Sequence, residues 1–342
     1  MSSKPAFQTP RASQRREFLL ALAAATVAAP TAVFAQGKAA PSAPAAPVKL
    51  GRLRIVIPAN PGGGWDQTGR AMGAALIASG GADAIDYENL GGKGGIVGLE
   101  HYAKQYDSDP NTLLMGGMVM VGAVALHKPA VNLSSIQPLA RLTSDYMVLA
   151  VREDSPIRNV KDLTQRMQQD LRAVPIAGAS AGSVDHMFIG RLVRAGSGNP
   201  AELNYLPFAG GAQVADAVLS GKAQVAISGY SEFKDVLASG RLRAIGMSSR
   251  RALFGIPSVR EQGIDTEMAN WRGVFTGRQV PAQRQAQMVE ALRTATVHAS
   301  WQGALQQNRW QSSWLAGADL ASFLETERSV AEVMVYMLRL KA

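Results

Sequence analysis

Gly178-Ala179-Ser180-Ala181-Gly182 spells G-x-S-x-G, the turn that presents a nucleophilic serine in α/β-hydrolases. It follows the apolar run 174–177, continues through Ser183 and opens a helical pattern at Val184. Acyl chemistry at Ser180 needs an imidazole returning from later in the chain and oxyanion donors ahead of the turn. The histidines that follow are His186, on the opening of the same helix, and His298, late in the helical run 283–299. No His-Gly-Gly segment precedes the turn. An exported serine hydrolase using Ser180 is thus the rival reading, short of a base.

A second turn of the same build favours binding over catalysis. Pro61-Gly62-Gly63-Gly64-Trp65-Asp66 follows the apolar strand pattern 53–57 and runs into a helical pattern near Gln67. Each turn aims backbone N–H groups from the positive end of a helix, a ready anion site. Three consecutive glycines let a ligand reach the main chain with no Cβ in the way. Phe208-Ala209-Gly210-Gly211 and Ser228-Gly229-Tyr230 are two further strand-to-helix turns. One polar cleft lined by all four sets is the expectation, with a small organic anion held from two sides. Asp66 reads as a helix N-cap, and Trp65 as either a pocket wall or a staple of the helix start. Arg272 is read as a hinge brace, with a ligand carboxylate as its other possible partner.

Other chemistries lack their residues. The first turn lacks G-x-G-x-x-G spacing, and Gly91-Gly92-Lys93-Gly94-Gly95 lacks the Walker spacing and its hydroxyl after Lys93. His101, His127, His186 and His298 are scattered, so no metal and no cofactor is expected. Absent cysteine rules out disulfides, thiolate sites and a lipid-anchored N-terminal cysteine. Lys4, Arg11, Arg15 and Arg16 against Glu17 account for +3 of the formal +9, leaving +6 for the rest. That excess steers anions, while no basic run interleaved with aromatics points to nucleic acid.

The elements that must position these turns alternate short apolar runs with amphipathic stretches, an α/β pattern with mainly parallel strands. Strands are expected at 52–57, 84–88, 112–116, 146–151, 174–178, 203–206, 223–228, 243–247 and 272–276. Helices are expected at 66–79, 95–106, 160–171, 184–195, 211–220, 231–238, 282–299 and 318–339. The strands fall into two groups, and the C-terminal helices return to cover the first. The expected organisation is one lobe from 51–147 plus 272–342 and another from 148–271, joined by two chain crossings. Ahead of them, Arg15-Arg16 and the apolar stretch 18–29 before Val33-Phe34-Ala35 read as a twin-arginine-type export signal over 1–35. Residues 36–50 read as a flexible leader. The stretch is too short for a membrane span, which takes about 20 residues.

Pro61–Asp66, Glu88-Asn89, the 91–95 glycine loop, Gly178–Ser183, Tyr205–Gly211, Ser220–Val225, Arg241–Ala244 and Glu261-Gln262-Gly263 occur in an order that resembles the substrate-binding proteins of tripartite tricarboxylate transporters, the Bug proteins. The resemblance covers 52–340. Trp65, Ser144-Asp145-Tyr146 and Asp154-Ser155-Pro156 lean towards the tricarboxylate receptors, whereas many relatives carry Thr at the position of Trp65. It implies a two-lobed periplasmic-binding-protein fold, type II-like, that clamps di- or tricarboxylates through backbone amides and bridging waters. It also implies delivery to a two-component membrane permease. The expected protein is a monomeric, non-enzymatic periplasmic receptor; a ligand-sensing accessory receptor that feeds a signalling protein would have the same fold and is the third reading.

Overall fold

The computed structural model describes residues 48–340. The export signal and all but the end of the leader lie outside the described residues. Leu50, assigned to the leader by composition, is buried and donates its N–H to Gly81.

In chain order the elements are β1 (Arg52–Ile57), α1 (Gly64–Ala78), β2 (Ala84–Asn89), α2 (Ile96–Gln105), β3 (Thr112–Gly117) and α3 (Met118–His127). Then come β4 (Ile136–Arg152), α4 (Val160–Gln169), β5 (Ile176–Gly178), α5 (Val184–Ala195), β6 (Tyr205–Pro207), α6 (Gly211–Leu219) and β7 (Val225–Gly229). The chain ends with α7 (Tyr230–Ala238), β8 (Leu242–Met247), β9 (Ala269–Gly277), α8 (Ala282–Val297), α9 (Ala299–Asn308), β10 (Gln311–Ala316) and α10 (Gly317–Met337).

Strand order is β2-β1-β3-β9-β4-β7-β5-β6, with β8 and β10 also on β4. The pivot is β4. Its first part, Ile136–Tyr146, pairs antiparallel with β9, and Met147–Arg152 pairs with β7 and β8. Two register shifts along β4 and β9 bend the pair, as extra residues in a ladder do. The fold is two-lobed: parallel β1, β2 and β3 build one sheet, and parallel β5, β6 and β7 build the other.

Alternation along β4 shows why both faces are covered. Met147, Leu149 and Val151 enter one apolar cluster, Val148 and Ala150 the other, because successive side chains point to opposite faces. The second cluster is closed by Val214 and Val218 of α6 and Phe233 of α7. Helices α8 and α9 return to pack on α1, and α10 on α3. Among the described residues no helix is long and apolar enough to cross a membrane.

The sequence reading of the elements needs five corrections. It expects mainly parallel strands, whereas every pairing of β4, β8, β9 and β10 is antiparallel. It leaves 118–127 unassigned, because Met118–His127 is apolar all round and has no helical face to detect. It gives β4 only 146–151. It misses β10. And it runs one helix through His298, which instead caps α9: its ring Nδ1 accepts the Ser300 N–H at 3.2 Å.

Candidate functional site

The first turn is organised by a carboxylate. Gly63, in extended conformation (φ −73°, ψ 169°), is the N-cap of α1 and offers no side chain. Asp66 sits inside the helix, so the expected cap is corrected: its carboxylate reaches back to accept the Gly62 N–H at 2.8 Å. It also accepts from Arg70 Nε and Asn89 Nδ2, both at 2.9 Å. Burial works to raise the Asp66 pKa, but Arg70, the Gly62 amide and Asn89 outweigh it and hold the carboxyl below its usual range. Gly62 has φ +85°, which glycine adopts without strain. Among the described residues, the amides of Gly64, Trp65 and Asp66 have no hydrogen-bond partner. Trp65 is buried, its ring against Gly95 and its Nε1 beside Gly117. It is packed into the lobe, more staple than wall.

The second turn uses a different set of acceptors. Asp185, in the first turn of α5, accepts the Ala179 N–H at 3.0 Å, and His186 Nδ1 accepts that of Gly182 at 3.2 Å. Ser183 is the N-cap and receives the His186 N–H at 3.4 Å. Tyr205 donates its hydroxyl to the Ala179 carbonyl at 2.7 Å and stacks on the His186 ring, centroids 4.0 Å apart. Burial depresses His186 to about 4, and no hydrogen bond among the described residues joins Ser180 Oγ to an imidazole. A ring so buried, with Nδ1 on a backbone amide, is not placed as a base for Ser180. Ser180 and Ala181 keep unpaired amides among the described residues.

The third and fourth turns meet each other. Phe208 N–H donates to the Gly178 carbonyl at 2.9 Å, joining the third turn to the second. Ala209 N–H donates to Gln213 Oε1 at 3.1 Å, and Gly210 caps α6 with extended backbone. Gly211 lies against Ser228 Oγ and the Glu232 carboxylate, themselves bonded at 2.6 Å. Tyr230 opens α7 and stacks on Phe254 at 4.3 Å.

One buried ion pair ties the first turn to the fourth. Arg272 on β9 bridges Asp145 on β4 at 3.1 Å, with the two side chains 3 % and 1 % exposed. Arg272 Nη1 also donates to Thr68 of α1 at 3.3 Å, and a Cβ on Gly64 would lie 2.7 Å from Nη2. Asp145 accepts Ser231 Oγ–H of α7 at 2.7 Å. Burial raises the Asp145 pKa, opposed by the guanidinium beside it and by Ser231. Arg272 is therefore a brace within the protein's own framework.

Sequence reasoning missed two parts of this constellation. Gly116-Gly117 opens α3 beside Trp65, giving a further strand-to-helix turn. The far end of α3 presses Leu126 against Gly182 of the second turn. The other part is the pairing of Asp145 with Arg272: Asp145 was noticed within Ser144-Asp145-Tyr146, but not its partner on the strand that returns.

Comparison with known proteins agrees with this architecture. The profile of the tripartite tricarboxylate transporter family receptor matches residues 77–334. A UPF0065 protein of Agrobacterium vitis is 25 % identical over 252 residues, covering 71 % of this chain and 70 % of that one. Among solved structures, an R. palustris protein with adipate superposes with TM-score 0.76 at 19 % identity, over 85 % of this chain and 98 % of that one. MatC from Rhodopseudomonas palustris, with bound malate, gives TM-score 0.71 at 22 % identity over 84 % and 99 %. On its turns, its crossing strands and this match over most of its length, the chain belongs to the tripartite tricarboxylate transporter receptor family.

Proposed function

We propose that the protein is a periplasmic solute receptor that binds a di- or tricarboxylate, citrate-like in class, and delivers it to the membrane subunits of a tripartite transporter. The observation that carries this is the set of amides at Gly64–Asp66 and Ser180–Ala181 left unpaired among the described residues, the first set in the opening turn of α1 and the second in the loop just ahead of the Ser183 cap of α5, where free N–H groups and a helix dipole stabilise a carboxylate. The turns Pro61–Asp66, Gly178–Ser183, Phe208–Gly211 and Ser228–Tyr230 are its ligand residues. The solved relatives with adipate and malate support the carboxylate class. Residues 1–35 direct export by the twin-arginine route.

Binding works by closure. A ligand touching turns of both lobes binds the closed state better than the open one, and shifts the population by that difference. The receptor does not turn its ligand over.

A thermal-shift and calorimetric screen of citrate, malate and adipate tests the reading. A true ligand at a hundredfold its Kd adds about 2.7 kcal/mol of stability. Small-angle scattering should show contraction with that ligand. No binding by any carboxylate, or specific labelling of Ser180 by a fluorophosphonate, would sink it.

A further inference from the structure

The charge around the second turn has the wrong sign for an anion. Asp185 is only 4 % exposed, and its carboxylate holds the Ala179 amide. The ionisable groups acting on it are all acidic or neutral: Glu232 from α7, Asp145 from β4, the Tyr205 phenol from β6, and the uncharged His186 ring on its own helix. The one cation of this constellation, Arg272, is spent on Asp145. Among the described residues no cation pairs with Asp185.

We infer that Asp185 carries a proton when a carboxylate occupies the second turn, so that ligand binding is coupled to proton uptake. The inference rests on the reading of that turn as a ligand site. The physical reason is the cost of a buried charge with no counter-charge, which the group relieves by binding a proton. The Ala179 amide and the helix N-terminus favour the ionised form. Burial, Glu232 and Asp145 outweigh them and place the group at about 7. A ligand carboxylate on the Ser180 and Ala181 amides adds one more negative charge and pushes the group higher still. The neutral carboxyl keeps an oxygen that accepts the Ala179 N–H, so the turn holds its shape while losing its charge. Asp185 is thus a positioning residue whose protonation sets how well the turn accepts an anion.

Titration of the purified protein with adipate, whose own carboxylates stay ionised near neutrality, tests this. At about pH 7.5 the observed enthalpy should differ between HEPES and Tris in the direction of proton uptake. A group at about 7 is roughly nine-tenths neutral at about pH 6 and one-tenth at about pH 8, so affinity should fall on the order of tenfold between them. Asp185→Asn should bind adipate with a flat pH profile and no buffer dependence. Equal enthalpies in the two buffers with a flat wild-type profile would overturn the coupling while leaving the receptor standing. A pH dependence that survives in Asp185→Asn would overturn its assignment to Asp185. If adipate, malate and citrate all fail to bind at either pH, both the coupling and the receptor reading fall.

Discussion

The first and second turns solve the same local problem with the same residue type, and shift its acidity in opposite directions. In each, an aspartate in the first helical turn reaches back to the loop, Asp66 to Gly62 and Asp185 to Ala179. Asp66 has Arg70 and Asn89 around it and is held ionised. Among the described residues Asp185 has neither a cation nor a side-chain donor, and burial pushes it to about 7. The carboxylate is therefore a structural tie in both loops, while its charge depends on what the neighbouring elements supply. Turn 1 borrows a cation from α1 and an amide from β2. Turn 2 lies against α3 and β6, and among the described residues neither pairs a cation with Asp185.

The largest effect comes from removing the ion pair that ties the first turn to the fourth. Arg272→Met leaves Asp145 buried and unpaired, at a cost of about 3–5 kcal/mol in chemical denaturation. Pairing it with Asp145→Leu should recover most of that loss, since two well-packed apolar side chains replace a desolvated pair. A loss under about 1 kcal/mol in the single variant would mean the pair is solvated and does not brace the first turn.

The next test reads the two aspartates against each other through pH. Asp66 has a lowered folded pKa, so its stabilisation is present above the unfolded value and is lost as pH falls through the folded one. Asp185 has a raised one. From the unfolded value up to about 7 the folded state holds a proton that the unfolded state lacks, so stability falls as pH rises through that window. At about 1.4 kcal/mol per unit the loss reaches no more than about 4 kcal/mol. Asp185→Asn should flatten the wild-type decline between about pH 4 and 7, while Asp66→Asn should alter only the acid limb. Arg70→Met should make Asp66 behave more like Asp185, raising its acid-limb midpoint. Identical pH–stability curves for the two Asn variants would erase the contrast.

How much of this was legible follows from where each signal lives. The turns were readable because glycine, serine and a strand-to-helix change of period are local features of 61–66, 178–183, 208–211 and 228–230. The route of β4 was not. Pro138, Arg141, Thr143, Ser144 and Asp145 break its apolar pattern, and the partners that make sense of them are far along the chain. Arg141 donates to the Ser313 carbonyl, and Asp145 meets Arg272 across 127 positions. Helix α3 was hidden for the opposite reason, being apolar on every side. Asp185 was passed over in the sequence, because its missing counter-charge among the described residues is a property of other elements. No window of sequence contains it.

The smallest effect separates the two turns by their caps. Ser183 caps α5 with its hydroxyl, and Gly63 caps α1 with nothing. Ser183→Gly should cost only a few tenths of a kcal/mol. Gly63→Ser tests the reverse. Its φ of −73° suits any residue, and the nearest atom to a new Cβ is the Asn60 carbonyl oxygen at 3.4 Å, so the fold should accept the side chain. The new hydroxyl would take the Trp65 or Asp66 amide, as N-cap oxygens do, with a gain of a few tenths of a kcal/mol. Those are the amides assigned to the ligand. Stability should therefore rise slightly while affinity for a carboxylate falls roughly three- to tenfold, the worth of one hydrogen bond. Opposite signs in denaturation and calorimetry would mark the first turn as a binding loop left uncapped for its ligand. If both quantities rise together, the free amides of Gly64–Asp66 face solvent for some other reason, and the first turn is not one of the two jaws.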